Sequence, residues 1–317
     1  MKFTKIVTFI MIAGLSLDLS AQTLDDAGAA FNAGIQFSKD LKYSEAAASY
    51  EQTISICKQI GDEGMELQIK AEQQLPGTYF NLAKGFFDAK NFNEAIPNFE
   101  KSAQYADLMG ETKTADASRT YLAGIYYAQG NADLKADALD AAIEKYNKSL
   151  TYKPGYYKAF YGLGLVYKKQ ENLPLMKENL DKAISMAGED AKIIGNSKDA
   201  AASAYQKAGA LSLQASKYNA AVENLIASQE YNNTEPRTWF YLAIAYNGLS
   251  KWDDAITTAT KALELQTEDK SDIYFELAKA QENKGDKASA CGNYKNVTAG
   301  NNVEAAKYQM EQVLKCQ

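Results

Sequence analysis

Residues 236–265 read PRTWFYLAIAYNGLSKWDDAITTATKALEL, and this stretch decides the fold. Its large and small apolar residues recur at steps of three, four and seven positions: Trp239, Leu242, Ala243, Tyr246, Trp252, Ala255, Ala259 and Ala262. Such steps place side chains on one face of a helix. The break between the two periodic runs predicts two helices joined by a turn.

The same pattern occurs in seven copies between about Ala27 and Asn302. Each copy has a small central residue, replaced once by methionine: Ala46, Ala95, Ala142, Met176, Ala221, Ala255 and Ala290. One helix pair cannot cover its own apolar face, so neighbouring pairs must stack. The apolar positions Val303, Ala306, Met310, Val313 and Leu314 predict one more helix that covers the last pair.

The steps between the copies are unequal, so extra residues must be accommodated. We expect residues 62–74 and 109–117 to lengthen helices. In the third copy, Ala123, Gly124 and Tyr127 are assigned to the positions of Leu242, Ala243 and Tyr246. Gly130–Asn131 then reads as the turn, with a longer internal turn over 131–136. In the seventh copy the turn is Gly285–Asp286. Residues 188–198 are the least periodic and form a candidate hinge.

The large residue, the leucine and small-residue pair, the aromatic residue and the later alanine of each copy resemble the tetratricopeptide repeat family. The resemblance implies an all-α fold, a right-handed α-solenoid of about seven helix pairs plus a C-terminal capping helix. It also implies a concave groove, lined by the first helices, that binds partner proteins or peptides. We expect the repeats at 22–302 and the capping helix at 303–317; a generic helical bundle is the alternative.

In this architecture the residue after the first large apolar position points to the groove. That residue is aromatic in six of the seven copies: Phe31, Phe80, Tyr121, Tyr161, Phe240 and Phe275. We predict a partner-binding groove that also contains Lys84, Lys168, Ile244, Asn247 and Lys279, with Ile35, Ile125 and Leu165 one turn beyond the rings. The alternative is that the rings pack between neighbouring first helices and complete the core.

The chain has no histidine, which excludes Ser-His-Asp and Cys-His catalysis and histidine-ligated zinc. Its net charge of −6 argues against nucleic acid as a partner. Gly162–Gly164 follows no predicted strand and is not a phosphate loop. We therefore expect a non-enzymatic interaction scaffold without cofactor or metal, which can also self-associate. A glycan or peptidoglycan-binding module is the alternative, with Gln206, Asn247 and Lys168 as contacts to hydroxyls.

The N-terminus has the three parts of a secretory signal. Lys2 and Lys5 precede an apolar run at 6–17, and Leu19-Ser20-Ala21 offers small residues for cleavage after Ala21. The Ser-Ala-Gln ending resembles signal peptides of Gram-negative Bacteroidota. We expect a signal peptide at 1–21 and an exported, periplasmic or outer-membrane-associated protein without a membrane span after cleavage; an uncleaved anchor is the alternative.

Export makes the three cysteines relevant, because exported compartments are oxidising. They are Cys57, Cys291 and Cys316. In a helical hairpin that turns near Gly300, Cys291 lies opposite about residue 310, and Cys316 is several residues beyond it. Buried thiols are therefore the expectation, with a Cys291–Cys316 disulfide as the alternative.

Overall fold

The computed structural model describes residues 23–317, and these residues form α-helices and turns without a β-strand. The helices are α1 (Leu24–Lys39), α2 (Tyr43–Ile60), α3 (Met65–Asp88), α4 (Phe92–Met109), α5 (Thr112–Lys135), α6 (Leu139–Tyr152), α7 (Tyr157–Lys169), α8 (Leu173–Met186), α9 (Ala191–Gln214), α10 (Tyr218–Tyr231), α11 (Pro236–Gly248), α12 (Trp252–Leu265), α13 (Ser271–Lys284), α14 (Lys287–Tyr294) and α15 (Val303–Tyr308). The predicted all-α fold is confirmed. The predicted signal peptide lies outside the described residues.

Seven hairpins, α1–α2 through α13–α14, follow the seven copies of the sequence pattern. Each hairpin turns on one left-handed residue, five positions before its central small residue: Leu41, Lys90, Asp137, Glu171, Ser216, Ser250 and Gly285, with φ between 53° and 92°. Only the seventh turn uses glycine, which adopts this conformation without steric cost. The predicted central positions are confirmed, because all seven lie in the same place after the turn.

The chain divides into two compact units, the first ending at Leu122 and the second beginning at Ala123. The first unit holds α1–α4 and the beginning of α5, and Tyr50, Leu75 and Tyr79 lie in its core. The second unit holds the rest of α5 and the helices after it, and its core includes Tyr146 and Leu163. In both units the core lies between successive helices, as stacking requires.

A small residue on the first helix of a hairpin lets the second helix approach closely. A Cβ added at Gly34 would lie 2.7 Å from the Tyr50 ring, and one at Gly209 would lie 2.5 Å from Leu225. Both pairs are 16 positions apart. No side chain fits in that space, so glycine at these positions sets the distance between the two helices.

Side chains of the second helices also bond to the backbone of the first helices. Buried serine hydroxyls donate to carbonyl oxygens 26 positions earlier: Ser102 to Pro76 at 2.9 Å, Ser149 to Ala123 at 2.8 Å and Ser228 to Ala202 at 2.9 Å. The recurring distance of 26 positions fixes the register between the two helices of each hairpin. It also gives each buried serine hydroxyl a hydrogen-bond partner.

Stacked tyrosine pairs occur at the same separation of 26 positions. The rings of Tyr79 and Tyr105, of Tyr126 and Tyr152, and of Tyr205 and Tyr231 lie within 10° of parallel. Near two of these pairs a lysine and a carboxylate meet a tyrosine hydroxyl: Lys101 and Glu51 at Tyr79, and Lys177 and Asp181 at Tyr231. Six of the 21 tyrosines of the chain therefore pack in pairs within hairpins.

The third hairpin differs from its sequence prediction. Helix α5 runs through Gly130–Asn131 to Lys135, so the predicted turn there is wrong. The amide of Ala138 donates to the carbonyl of Asp133, which places Asp133 where Tyr246 lies in the sixth hairpin. The prediction assigned Tyr127 to that place because an aromatic residue was expected there. The register of the first helix is therefore six positions later than predicted.

Most of the other residues inserted between copies lengthen the first helices of the second and third hairpins. Of the residues expected to lengthen helices, 65–74 belong to α3 and 112–117 to α5. Asp62–Gly64 instead form a short 3-10 turn, and residues 110–111 lie between α4 and α5. The candidate hinge at 188–198 is wrong, because residues 191–198 are the first two turns of α9. Asp190 caps this helix, with its carboxylate accepting a hydrogen bond from the amide of Ile193 at 3.1 Å.

The chain after α14 forms the predicted cover only in part. Ala306 is buried against the last hairpin, and Val303, Met310 and Leu314 pack beside it. The segment is not one regular helix, because α15 continues into a π-helical turn at Gln309–Val313. Val313 is consequently half exposed.

Cys291 and Cys316 form a disulfide with their Cα atoms 5.7 Å apart, so the expectation of buried thiols is wrong for this pair. A regular helix would carry residue 316 about 9 Å past residue 310. Instead the chain leaves the helix, and the amide of Cys316 bonds back to the carbonyl of Met310. Cys57 is a buried free thiol, as expected.

No helix within residues 23–317 combines the length and the apolar character that crossing a membrane requires.

Candidate functional site

The predicted aromatic residues are half buried between helices. Phe31 lies 5.7 Å from Tyr50, Phe80 lies 5.7 Å from Phe99, and Phe275 lies 5.7 Å from Tyr294, measured between ring centroids. In each pair the second ring belongs to the second helix of the same hairpin. This geometry favours the alternative in which the rings complete the core, and their role in binding stays a prediction.

We call the aromatic residues predicted at the groove position of each hairpin the ladder residues. The corrected register of the third hairpin changes its ladder residue. Tyr127, not Tyr121, occupies the place equivalent to Phe80, and its ring lies 6.0 Å from Tyr146. Tyr121 stacks on Phe99 at 4.8 Å in the preceding hairpin. Ile125, predicted one turn beyond the ring, is fully buried.

Two further ladder residues lie in the second unit. Tyr161 packs against the buried clusters around Leu180 and Ala183. Phe240 packs against the cluster of Ala243 and Ala259 and also borders a mostly polar cavity of about 400 Å³. Ile244, one turn beyond Phe240, is half buried.

Most of the predicted polar groove residues bond within the protein. Lys84 pairs with Asp88 at 2.8 Å. The Asn247 amide donates to the Glu276 carboxylate at 2.7 Å, and the Lys279 ammonium lies 3.8 Å from that carboxylate. The Gln206 amide similarly donates to Thr238 at 2.8 Å. The Asn247 and Gln206 bonds connect first helices of neighbouring hairpins, and they occupy two amide donors that the glycan alternative would use.

A largely apolar cleft of about 570 Å³ opens in the second unit. Its walls come from the first helices of three successive hairpins and from the turn between α7 and α8. The lining residues are Leu134 of α5, Leu165, Lys168 and Lys169 of α7, Glu171 and Leu173 at the turn, and Ser203, Ala204, Lys207, Ala208 and Leu211 of α9. We call this set of residues the leucine cleft.

The floor and sides of the leucine cleft are aliphatic, and its rim is charged. Leu211 is 49% exposed, although it is a large apolar side chain. At the rim, the Lys169 ammonium lies 2.6 Å from the Asp137 carboxylate, and the Lys207 ammonium lies 2.7 Å from the Glu171 carboxylate. The cleft can therefore accept apolar groups from an occupant and polar groups at its edge.

Lys168 differs from these two lysines. Its ammonium donates to the Ser203 hydroxyl at 2.7 Å, and no described carboxylate lies within ion-pair distance of it. Burial lowers the pKa of this ammonium, because the surroundings stabilise the charge less well than water does. The cleft thus contains one positive charge that the protein does not neutralise.

The sequence predicted only part of the leucine cleft. Lys168 was a predicted groove residue, and Leu165 was placed one turn beyond Tyr161. The α9 wall was missed because Gln206 interrupts the aromatic series in that copy. Its signal is nevertheless present, since Ala204, Lys207, Ala208 and Leu211 are spaced along one helix face.

The seven hairpins within residues 23–317 resemble the helix pairs of tetratricopeptide repeat proteins, as predicted. No protein-family model matches the chain, and no curated protein matches it. Among solved structures the chain is similar in fold to the MamA protein, with 20% identity, coverage of 61% of this chain and 96% of that chain, and a TM-score of 0.38.

Two other solved structures are similar at the same level. YrrB, described as a TPR protein with an unusual peptide-binding site, has 17% identity over 60% of this chain and 88% of its own, with a TM-score of 0.36. PilF of Pseudomonas aeruginosa has 17% identity over 62% of this chain and 86% of its own, with a TM-score of 0.33. At this level the likeness concerns the fold alone.

Proposed function

We propose that this chain is a non-enzymatic interaction scaffold that binds a segment of a partner protein in the leucine cleft. The observation that carries the proposal is the cleft itself, because about 570 Å³ of largely aliphatic space lies open on the first helices. Openings of this size and character are typical of ligand sites. The walls are helices held by their own hairpins, so binding would order little besides the partner.

We also propose that the scaffold works after export, in the periplasm or at the outer membrane. The basic, apolar and small residues at 1–21 support export. The Cys291–Cys316 disulfide supports it independently, because such bonds persist in oxidising compartments.

Replacing Leu211 by glutamine tests the binding surface. Glutamine keeps the helix and adds no charge, but it removes an exposed aliphatic contact from the cleft. We expect the affinity for the partner to fall roughly tenfold, as for a contact at the centre of an interface. The measurement is quantitative affinity capture of proteins from an envelope extract of the source cells.

The matched control is Ile226→Gln. Ile226 is exposed to a similar extent, 44% against 49% for Leu211, but it lies on α10 outside the cleft. We expect this variant to capture partners as the unaltered protein does. Equal capture by all three proteins would contradict the proposed binding surface.

A further inference from the structure

The charges around the leucine cleft are unevenly compensated. Lys169 and Lys207 each have an acidic partner within the protein, Asp137 and Glu171. Lys168 has the neutral hydroxyl of Ser203 instead. After this internal pairing, the lining retains one positive charge, that of the Lys168 ammonium.

An ammonium in partly apolar surroundings is stabilised by a negative partner. Burial lowers the pKa of Lys168 in the free protein, and no ion pair with a described carboxylate offsets that effect. An occupant that carries a carboxylate would supply the missing partner. An occupant with only apolar groups would bury the ammonium further and lose affinity for that reason.

The aliphatic side chains lie on more than one side of this charge. Leu165 precedes Lys168 by three positions on α7, and Leu211 and Ala208 face the cleft from α9. Leu134 and Leu173 complete the apolar lining. A complementary occupant therefore presents aliphatic groups on both sides of its acidic group.

We propose that the leucine cleft selects a peptide segment in which one aspartate or glutamate stands between two aliphatic residues, with its carboxylate paired to Lys168. The proposal rests on the proposed function and adds the chemistry of the partner to it. Such a segment matches the cleft in both charge and apolar character.

A random dodecapeptide library displayed on phage, selected against the full chain, tests this proposal. We expect the selected peptides to contain aspartate or glutamate within one helical turn of leucine or isoleucine on each side. Selection against Lys168→Met should keep the aliphatic residues and lose the acidic one. Lys158→Met is the matched control, because Lys158 is also on α7 but outside the cleft.

Synthetic peptides measure how much the acidic residue contributes to the binding affinity. For the most enriched peptide, changing its acidic residue to the amide should weaken binding to the unaltered chain roughly tenfold. The same change should leave binding to Lys168→Met nearly unchanged. This double comparison assigns the loss to the pair of charges and not to the fold of the variant.

The outcomes separate this proposal from the one on which it rests. Apolar peptides without acidic residues, whose binding Leu211→Gln weakens, would leave the proposed function intact and overturn the acidic specificity. A library that yields no binding peptide would overturn both. Binding of dodecanoate without any peptide would also overturn the inference, as would self-association that Lys168→Met abolishes in sedimentation experiments.

Discussion

Replacing Tyr146 by alanine should lower the free energy of unfolding of the second unit by about 3–5 kcal/mol, the cost typical of removing a buried aromatic ring. Tyr146 is fully buried. Its ring fills the space beside Gly130 of α5 and Gly162 of α7, where even a Cβ would not fit. The change leaves a cavity between two successive hairpins.

The effect should be concentrated near the third and fourth hairpins. Repeat proteins transmit little stability beyond neighbouring repeats. Hydrogen exchange should therefore accelerate most in α6 and α7, and denaturant unfolding should show the loss of stability. Tyr146→Phe is the control, because it removes only the hydroxyl that donates to Asn131 at 2.8 Å.

We expect Tyr146→Phe to cost about 1 kcal/mol, the typical value of one hydrogen bond. A loss below 1 kcal/mol for Tyr146→Ala would mean that the ring does not fill the space beside Gly130 and Gly162. It would also contradict the register of the third hairpin, since that register is what places Gly130 opposite Tyr146.

Reducing the disulfide should destabilise the C-terminal segment by about 3–4 kcal/mol. The bond closes a loop with a sequence separation of 25, and the loss of unfolded-state entropy on closure predicts this magnitude. Apart from the apolar cluster around Ala306, the segment is short and partly exposed, since α15 has six residues and Val313 and Tyr308 are exposed. The chain after α14 should therefore lose protection first.

Hydrogen exchange in the presence and absence of a phosphine reductant measures this change. Amides of α14 and α15 should exchange faster after reduction, and those of α1–α4 should not change. Thiol titration of the denatured, unreduced protein is the control and should find one free thiol, that of Cys57. Three free thiols would contradict the disulfide and remove one support for export.

The sequence predicted the hairpins well because their spacing is periodic and local. The central small residues, the apolar faces of Val303 and Met310, and the buried state of Cys57 all follow from helical periodicity or composition. Such features depend on residues one or two turns apart. A single sequence contains that information.

The third hairpin was mispredicted because Asp133 stands where the other copies mostly have an aromatic residue. The aromatic residues Tyr121 and Tyr127 drew the register to the wrong turn of α5. A constant distance of nine positions between the last aromatic position of the first helix and the central alanine would have corrected it, as Tyr246 and Ala255 illustrate. Spacing across the turn was therefore a stronger signal than side-chain type.

The leucine cleft and the disulfide required the structure for a different reason. The cleft collects residues from α5, α7, α8 and α9, so no single helix pattern reveals it. The disulfide depends on a π-helical turn and a backbone reversal after Met310, which regular helix geometry does not predict. Both depend on how elements end and stack.

Site-specific photo-crosslinking in living cells tests the binding surface most directly. A photoreactive phenylalanine analogue incorporated in place of Leu211 would lie in the leucine cleft, and the same analogue in place of Ile226 would lie outside it. We predict a discrete crosslinked product to a partner protein from position 211 and none from position 226. Crosslinking from 226 alone, or from neither position, would contradict the leucine cleft as the surface that binds the partner.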